Sequence, residues 1–222
     1  MNIILQHFDG DLRPLDKLSM ANIQKYAKKV GADYKLVTGK PFRKHLTSPC
    51  QKVYMLDEEF DKYDDVLMLD IDMFAPKGMT ENIFELPGIG LYHDVQKMLH
   101  RRLVHNYPMV ASASTPYWGG AIYKMNKQTR QKLREGLGGN EGWMNPFNEP
   151  YHYEDEGIMH VLAVKTGYQT KTPYLDRKWC YCSFLPEPET AGFIHIRTKI
   201  TPQGPKREKI ENYNELVSKG VL

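Results

Sequence analysis

Apolar and polar positions divide the chain into short runs that read alternately as strands and helices. Asn2 to Phe8 reads as a first strand, ending in the polar and aromatic stretch Gln6-His7-Phe8 and a turn at Asp9-Gly10. From Leu15 to Val30 the apolar residues recur at Leu15, Leu18, Ile23, Tyr26, Ala27 and Val30. Pro14 stands at the first turn and Gly31 just past the end, which predicts a helix. Tyr34 to Val37 predicts a second strand. Ser48-Pro49-Cys50-Gln51 reads as a capping box with Pro at the first helical position. The helix it opens runs to about Tyr63, with Val53, Leu56, Phe60 and Tyr63 on one face. Val66-Leu67-Met68-Leu69 follows, an unbroken apolar run that predicts a fully buried strand, central in a parallel sheet. The β-α-β-α-β order predicts an α/β fold.

Beyond residue 75 the rhythm changes. Gly88 to Tyr92 predicts a short strand closed by His93-Asp94, and residues 95 to 115 predict a loop or short helix. Tyr117 to Met125 predicts a strand whose glycines, Gly119 and Gly120, admit a ligand or another backbone. Asn126 caps a helix to about Leu137. The loop from Gly136 to Pro150 carries Trp143 and Phe147, which with Trp118 are candidate sugar-stacking surfaces. Glu154-Asp155-Glu156 opens a helix to about Lys165, and Trp179 to Phe184 predicts a strand leading to Phe193-Ile194-His195. Pro205 to Leu222 predicts a peripheral helix.

The chemistry gathers where the buried run breaks into Asp70-Ile71-Asp72. Two carboxylates cannot stay charged inside a sheet without a partner, so both belong at the strand's carboxyl end, where open α/β sheets bind ligands. As residues i and i+2 of an extended chain they point to one side and repel unless a cation lies between them. The plainer reading is a strand followed by an Asp-rich turn. His195, at another strand end, tips the balance. Two carboxylates and an imidazole form a set for Mg or Mn that leaves positions for diphosphate oxygens, and Arg197 and Lys199 supply charge for the phosphates.

Length and charge narrow the field. A chain of 222 residues with no linker or repeat predicts a single domain. A net charge of +3 argues against a nucleic-acid partner. The three cysteines, Cys50, Cys180 and Cys182, predict reduced thiols, with Cys180 and Cys182 on one side of a strand. With no signal peptide or membrane-spanning run, a cytoplasmic setting is expected.

Four landmarks in order carry a resemblance over roughly residues 2 to 200. They are strand-Asp70-x-Asp72, the strand Trp118-Gly119-Gly120-Ala121-Ile122-Tyr123-Lys124-Met125-Asn126, the acid-led helix Asp155-Glu156-Gly157-Ile158-Met159-His160, and His195-x-x-x-Lys199. Together they resemble metal-dependent glycosyltransferases of the GT-A fold, and are similar to family 8 and its small bacterial and viral relatives. The resemblance implies one Rossmann-like GT-A domain over 1–222, a mostly parallel mixed sheet flanked by helices: a nucleotide-binding part to about 75, an acceptor-binding part over about 76–200 and a peripheral tail from 201. It implies a nucleotide-sugar donor, most often UDP-linked, a carbohydrate or other hydroxyl acceptor, and Mn or Mg. Asp70, Asp72 and His195 would serve the metal, with Asp70 and Ile71 also near the ribose, Arg197 and Lys199 on the diphosphate, and Gln6, His7, Phe8 and Asp9 against base and ribose. Lys52 is a further donor-side candidate; His93, Asp94, Trp118, Gly119 and Gly120 are acceptor-side candidates.

The chain departs from family 8 in reading Trp118-Gly119-Gly120 for Asn-Ser-Gly, Asp155-Glu156 for Asp-Gln, and Arg197-Thr198-Lys199-Ile200 at its last motif. Glu154-Asp155 also looks like the acidic pair that acts as base in inverting GT-A enzymes, so inversion is favoured over retention, with Asp155 or Glu154 taking the acceptor proton. The strongest alternative is a haloacid-dehalogenase-type phosphatase, but Phe74 stands where Thr or Val is expected and two β-α units precede the motif. A non-catalytic nucleotide- or sugar-binding module needs neither metal nor base. A nucleotidyltransferase needs a glycine-rich phosphate loop where only Asp9-Gly10-Asp11 stands.

Overall fold

The computed structural model describes residues 1–86, 90–94, 97–108, 117–138, 147, 149, 154–167 and 174–222. Strands β1 (Asn2–Phe8), β2 (Asp33–Thr38) and β3 (Asp65–Leu69) run parallel, with helix α1 (Pro14–Lys29) crossing between the first two. After the short strand β4 (Met73–Phe74) come β5 (Gly90–Asp94), α2 (Lys97–Asn106), β6 (Tyr117–Asn126), α3 (Lys127–Gly136) and α4 (Glu154–Lys165). The strands β7 (Tyr174–Leu175), β8 (Tyr181–Cys182) and β9 (Ile194–His195) and the helix α5 (Lys209–Ser218) complete the order.

The main sheet has the order β2-β1-β3-β6-β5-β7. β6 pairs antiparallel to β3 and to β5, and β7 runs parallel to β5, so the sheet is mixed, as the GT-A resemblance implies. β3 lies between β1 and β6, which explains its unbroken apolar run: Val66 and Met68 join the core on one face, Leu67 and Leu69 the core on the other. Each such side chain contributes about 1.5–3 kcal/mol on burial. A second sheet, β4-β9-β8, stands beside the end of β3.

Several expectations are corrected. The segment from Ser48 forms 3-10 turns, Pro49–Leu56 and Glu58–Phe60, instead of one α-helix to Tyr63. Ser48 itself has helical angles (φ −57°, ψ −45°) and makes no side-chain cap. Gln51, the other half of the expected capping box, accepts from the Phe42 N–H and donates to the Arg43 carbonyl. Asp57 then turns extended and caps the Glu58 turn through the Glu59 N–H. Cys180 ends a 3-10 turn (Arg177–Cys180), with Cys182 alone of the pair in β8. The tail forms a helix as expected, α5, and is anchored at a few positions. Leu216, Val221 and Leu222 are buried with Leu15, Phe74, Ile194 and Ile196, and the Lys77 N–H donates to the Val221 carbonyl.

Other expectations match. Asn126 accepts from the Thr129 N–H as the cap of α3, and residues 97–106 form a helix within the stretch expected to be loop or short helix. Trp143, residues 88–89 and most of the loop over 139–153 lie outside the described residues. No helix among the described residues is long and apolar enough to cross a membrane.

Candidate active site

The carboxyl end of β3 opens into a cleft of about 720 Å³. The chain does not stay extended there. Asp70 and Met73 close a turn, with the Met73 N–H donating to the Asp70 carbonyl (3.2 Å). The turn hands the chain from the main sheet to β4, which pairs with β9 in the register Met73–His195. The two aspartates therefore converge because a turn folds them onto β9, not because alternate residues of a strand share a side.

One ligand atom each from Asp70, Asp72 and His195 lie within 4.8 Å of one another. His195 Nε2 is 3.2 Å from Asp72 Oδ1 and 4.0 Å from Asp70 Oδ2. Octahedral ligands at about 2.1 Å from Mg stand roughly 3–4 Å apart. The spacing and the donor set thus suit a divalent cation. Burial alone would raise the Asp72 carboxyl. His195 and the ammonium of Lys209, which donates to Asp72 Oδ2, outweigh it and hold the group well below the usual carboxylate range.

A second cluster lies against the first. Lys52 is buried and spans Asp70 Oδ1 (2.7 Å), Asp155 Oδ2 (2.8 Å) and the Gly120 carbonyl (2.5 Å). Burial opposes its charge, but Asp155 and Asp70 outweigh that and keep the ammonium protonated. Breaking a buried pair of this kind costs about 3–5 kcal/mol, because it leaves a charge uncompensated. Asp155 also accepts from the Tyr123 hydroxyl (2.9 Å); burial raises its carboxyl despite Lys52. Glu156 accepts from the Gly120 N–H (2.8 Å). Burial and then Asp155 push it up to about 8. Gly120 is required by this crowding: a Cβ there would stand 2.3 Å from Asp155 Oδ2 and 2.9 Å from the Tyr123 hydroxyl.

The structure sorts the remaining sequence candidates. His7, Phe8, Lys52, Ile71, Gly119, Gly120, Asp155, Arg197 and Lys199 line the cleft with the triad. Gln6 does not: fully buried, it ties β1 to the turn by donating to Ser19 Oγ and the Asp70 carbonyl. Asp9 is exposed and does not line the cleft either. Glu154 accepts from the Thr47 N–H (3.0 Å) and hydroxyl (2.7 Å), which makes it an anchor for that loop rather than a cleft acid. Trp118 and Phe147 are core residues with no open face, so neither is a sugar-stacking surface. The backbones of His93 and Asp94 pair with Trp118 and Tyr117 across β5 and β6.

Sequence reasoning missed Glu156, Lys209 and Arg13, all of which line the cleft. A helical phase argument could have separated the three acids opening α4, since successive residues point about 100° apart. Lys209 had no local signal; it stands 137 residues from its partner Asp72.

No family model matches the chain, and no curated protein matches it. Solved structures do. A glycosyltransferase involved in the glycosylation of the major capsid of PBCV-1 superposes with a TM-score of 0.57 at 14% identity, over 97% of this chain and 98% of the other. The galactosyltransferase LgtC, in complex with donor and acceptor sugar analogs, superposes with a TM-score of 0.54 at 11% identity, over 98% of this chain and 96% of the other. The phosphatase alternative finds no support in these likenesses. Over nearly its whole length, the chain has the GT-A fold of these two glycosyltransferases.

Proposed function

We propose that the protein is a metal-dependent glycosyltransferase. It moves a sugar from a nucleotide-sugar donor, UDP-linked in the first instance, to a hydroxyl of a carbohydrate or glycoconjugate. The observation that carries this reading is the convergence of Asp70, Asp72 and His195 beside two buried acids, Asp155 and Glu156, in one cleft. The GT-A fold supports it.

Asp70, Asp72 and His195 would hold Mn or Mg, which supplies Lewis-acid stabilisation of the departing diphosphate. His7, Phe8 and Ile71 form the base and ribose side of the donor site; Arg197 and Lys199 answer phosphate charge. Lys52 sets the Asp155 carboxylate against Asp70 and so couples the donor end of the cleft to its acid end. For an inverting transfer Glu156 is the better proton acceptor of the two acids. Asp155 is already engaged by Lys52 and Tyr123, whereas Glu156 has an affinity for protons close to neutral pH, where a general base works best. Gly119 lines the acceptor side, and Gly120 lets the two acids stand beside it. The nucleotide-binding part then extends beyond residues 1–75 to take in His195 and the strand that carries it. The acceptor part lies between.

Thermal shift with nucleotides, with and without Mn, tests the reading. Unfolding is expected to move upward only when Mn and a nucleoside diphosphate are present together, and Asp72→Ala should abolish that shift. No metal-dependent shift with any nucleotide would sink the proposal. Release of phosphate from simple monoesters would favour a phosphatase instead.

A further inference from the structure

Lys209 is the first residue of α5, and its ammonium donates to Asp72 Oδ2 while Asp72 Oδ1 lies 3.2 Å from His195. A single carboxylate therefore faces the metal-ligand cluster with one oxygen and an ammonium with the other. The helix that brings Lys209 there is firmly seated. Asn212 donates to the carbonyls of Arg197 (2.6 Å) and Lys199 (3.2 Å), and Tyr213 packs on Phe74 with ring centroids 5.0 Å apart. The contacts tie α5 to β4, which follows Asp72, and to the segment that follows His195.

Two other cations of this wall are held by partners outside the metal cluster. Arg13 grips both oxygens of Asp16 at 2.9 Å, and the Lys199 ammonium donates to the Pro202 carbonyl at 3.1 Å. Lys209 differs in that its partner is itself a candidate metal ligand. An ammonium has three N–H donors. Asp72 is its acceptor among the described residues, which leaves two donors beside the metal position on a side chain that is 30% exposed to the cleft. A strongly anionic ligand that reaches a cation held by Asp72 comes within reach of those donors.

We infer that Lys209 is a binding residue for the donor's diphosphate, held in place by Asp72, so that the C-terminal helix forms part of the donor site. This rests on the nucleotide-sugar reading above. Asp72 keeps the ammonium in position through one N–H, and the other two donate to phosphate oxygens. Lys209 adds to Arg197 and Lys199 a phosphate contact from a segment that follows the last strand-end motif.

Calorimetric titration in the presence of Mn, using UDP and UMP on the full chain, tests it. Lys209→Met is expected to weaken UDP at least about tenfold, the size of one charge-assisted hydrogen bond. It should also shrink the preference for UDP over UMP. Lys209→Arg should restore UDP affinity to within about threefold. Should the Met variant not fold, Lys209→Gln carries the same expectation. UDP affinity within twofold of wild type, or a parallel loss of UDP and UMP binding, overturns the assignment. If the wild type itself binds no Mn-nucleoside diphosphate, the glycosyltransferase reading has failed and the role of Lys209 falls with it, an outcome visible before any variant is made.

Discussion

Three consecutive acids, Glu154, Asp155 and Glu156, have three different fates, set by what each side chain meets. Glu154 is satisfied by Thr47, Asp155 by Lys52 and Tyr123, and Glu156 keeps a raised proton affinity because burial and its neighbour both disfavour its charge. A carboxyl with a folded pKa of about 8 and an ordinary value of 4.5 binds more protons folded than unfolded between those limits. The folded state therefore loses stability as pH rises from about 4.5 to 8. Glu156→Gln removes that penalty. The variant should melt several degrees above wild type at pH 8, at about 2–4 °C per kcal/mol for a chain of this size, and match it near pH 5. It should bind Mn-nucleotide normally and lose sugar transfer, as measured with a radiolabelled donor. A Gln variant that melts lower at both pH values would make Glu156 a structural residue instead. The gain in stability with loss of activity is the pattern expected of a functional group held in an unfavourable place.

At the scale of elements, α4 and β6 carry most of what the cleft needs and most of what the sequence misassigns. α4 is buried from Glu154 to Ala163, so its acid-led first turn is not the solvated helix start that dipole preference alone suggests. Farther along the helix, His160 is packed among the rings of Trp118, Tyr117 and His100. Burial, and then His100, lowers its pKa to about 3. With the folded value depressed below the usual 6.5, the unfolded chain takes up the proton first as pH falls. Stability from the neutral imidazole is thus complete above about 6.5 and is lost progressively toward 3, at up to about 1.4 kcal/mol per pH unit. Urea titrations at pH 7.5, 6 and 5 should show wild type losing stability relative to His160→Gln as pH falls, while the opposite contribution of Glu156 is common to both proteins. Equal slopes for the two proteins would show that acid lability comes from elsewhere.

Across the whole molecule, the site exists because two sheets meet. Asp70 leaves the main sheet, Asp72 enters the small one, His195 belongs to the small one, and the C-terminal segment covers the outer face of that sheet. Removing residues 205–222 takes away Leu216, Val221 and Leu222 and exposes Phe74, Ile194 and Ile196. Those three burials are worth about 1.5–3 kcal/mol each, less the chain entropy regained. The shortened chain should melt roughly 10 °C or more below the full one, with dye binding at exposed apolar surface. A melting temperature within roughly 2–3 °C of wild type, the effect of about one kcal/mol, would mean that the segment is the peripheral tail its polar composition suggests.

Much of the fold was legible in the residues because local physics decides it. Apolar runs bounded by turn residues made β1, α1, β2 and β3 plain, since periodicity and end signals act over a few neighbours. Asp70, Asp72 and His195 stood out because charged or titratable groups at the ends of apolar runs need a partner. Local pattern failed where distant chain competes for the same groups. Gln51 abandons a capping box for the Phe42–Arg43 backbone, and Trp118 reads as a binding surface but is claimed by the core. The antiparallel insertion of β6 beside β3, the turn that joins the two aspartates to His195, the division of labour among three adjacent acids and the arrival of Lys209 from 137 residues away were decided by tertiary structure alone. Each depends on which surfaces pack together, and no window of neighbouring residues contains that information.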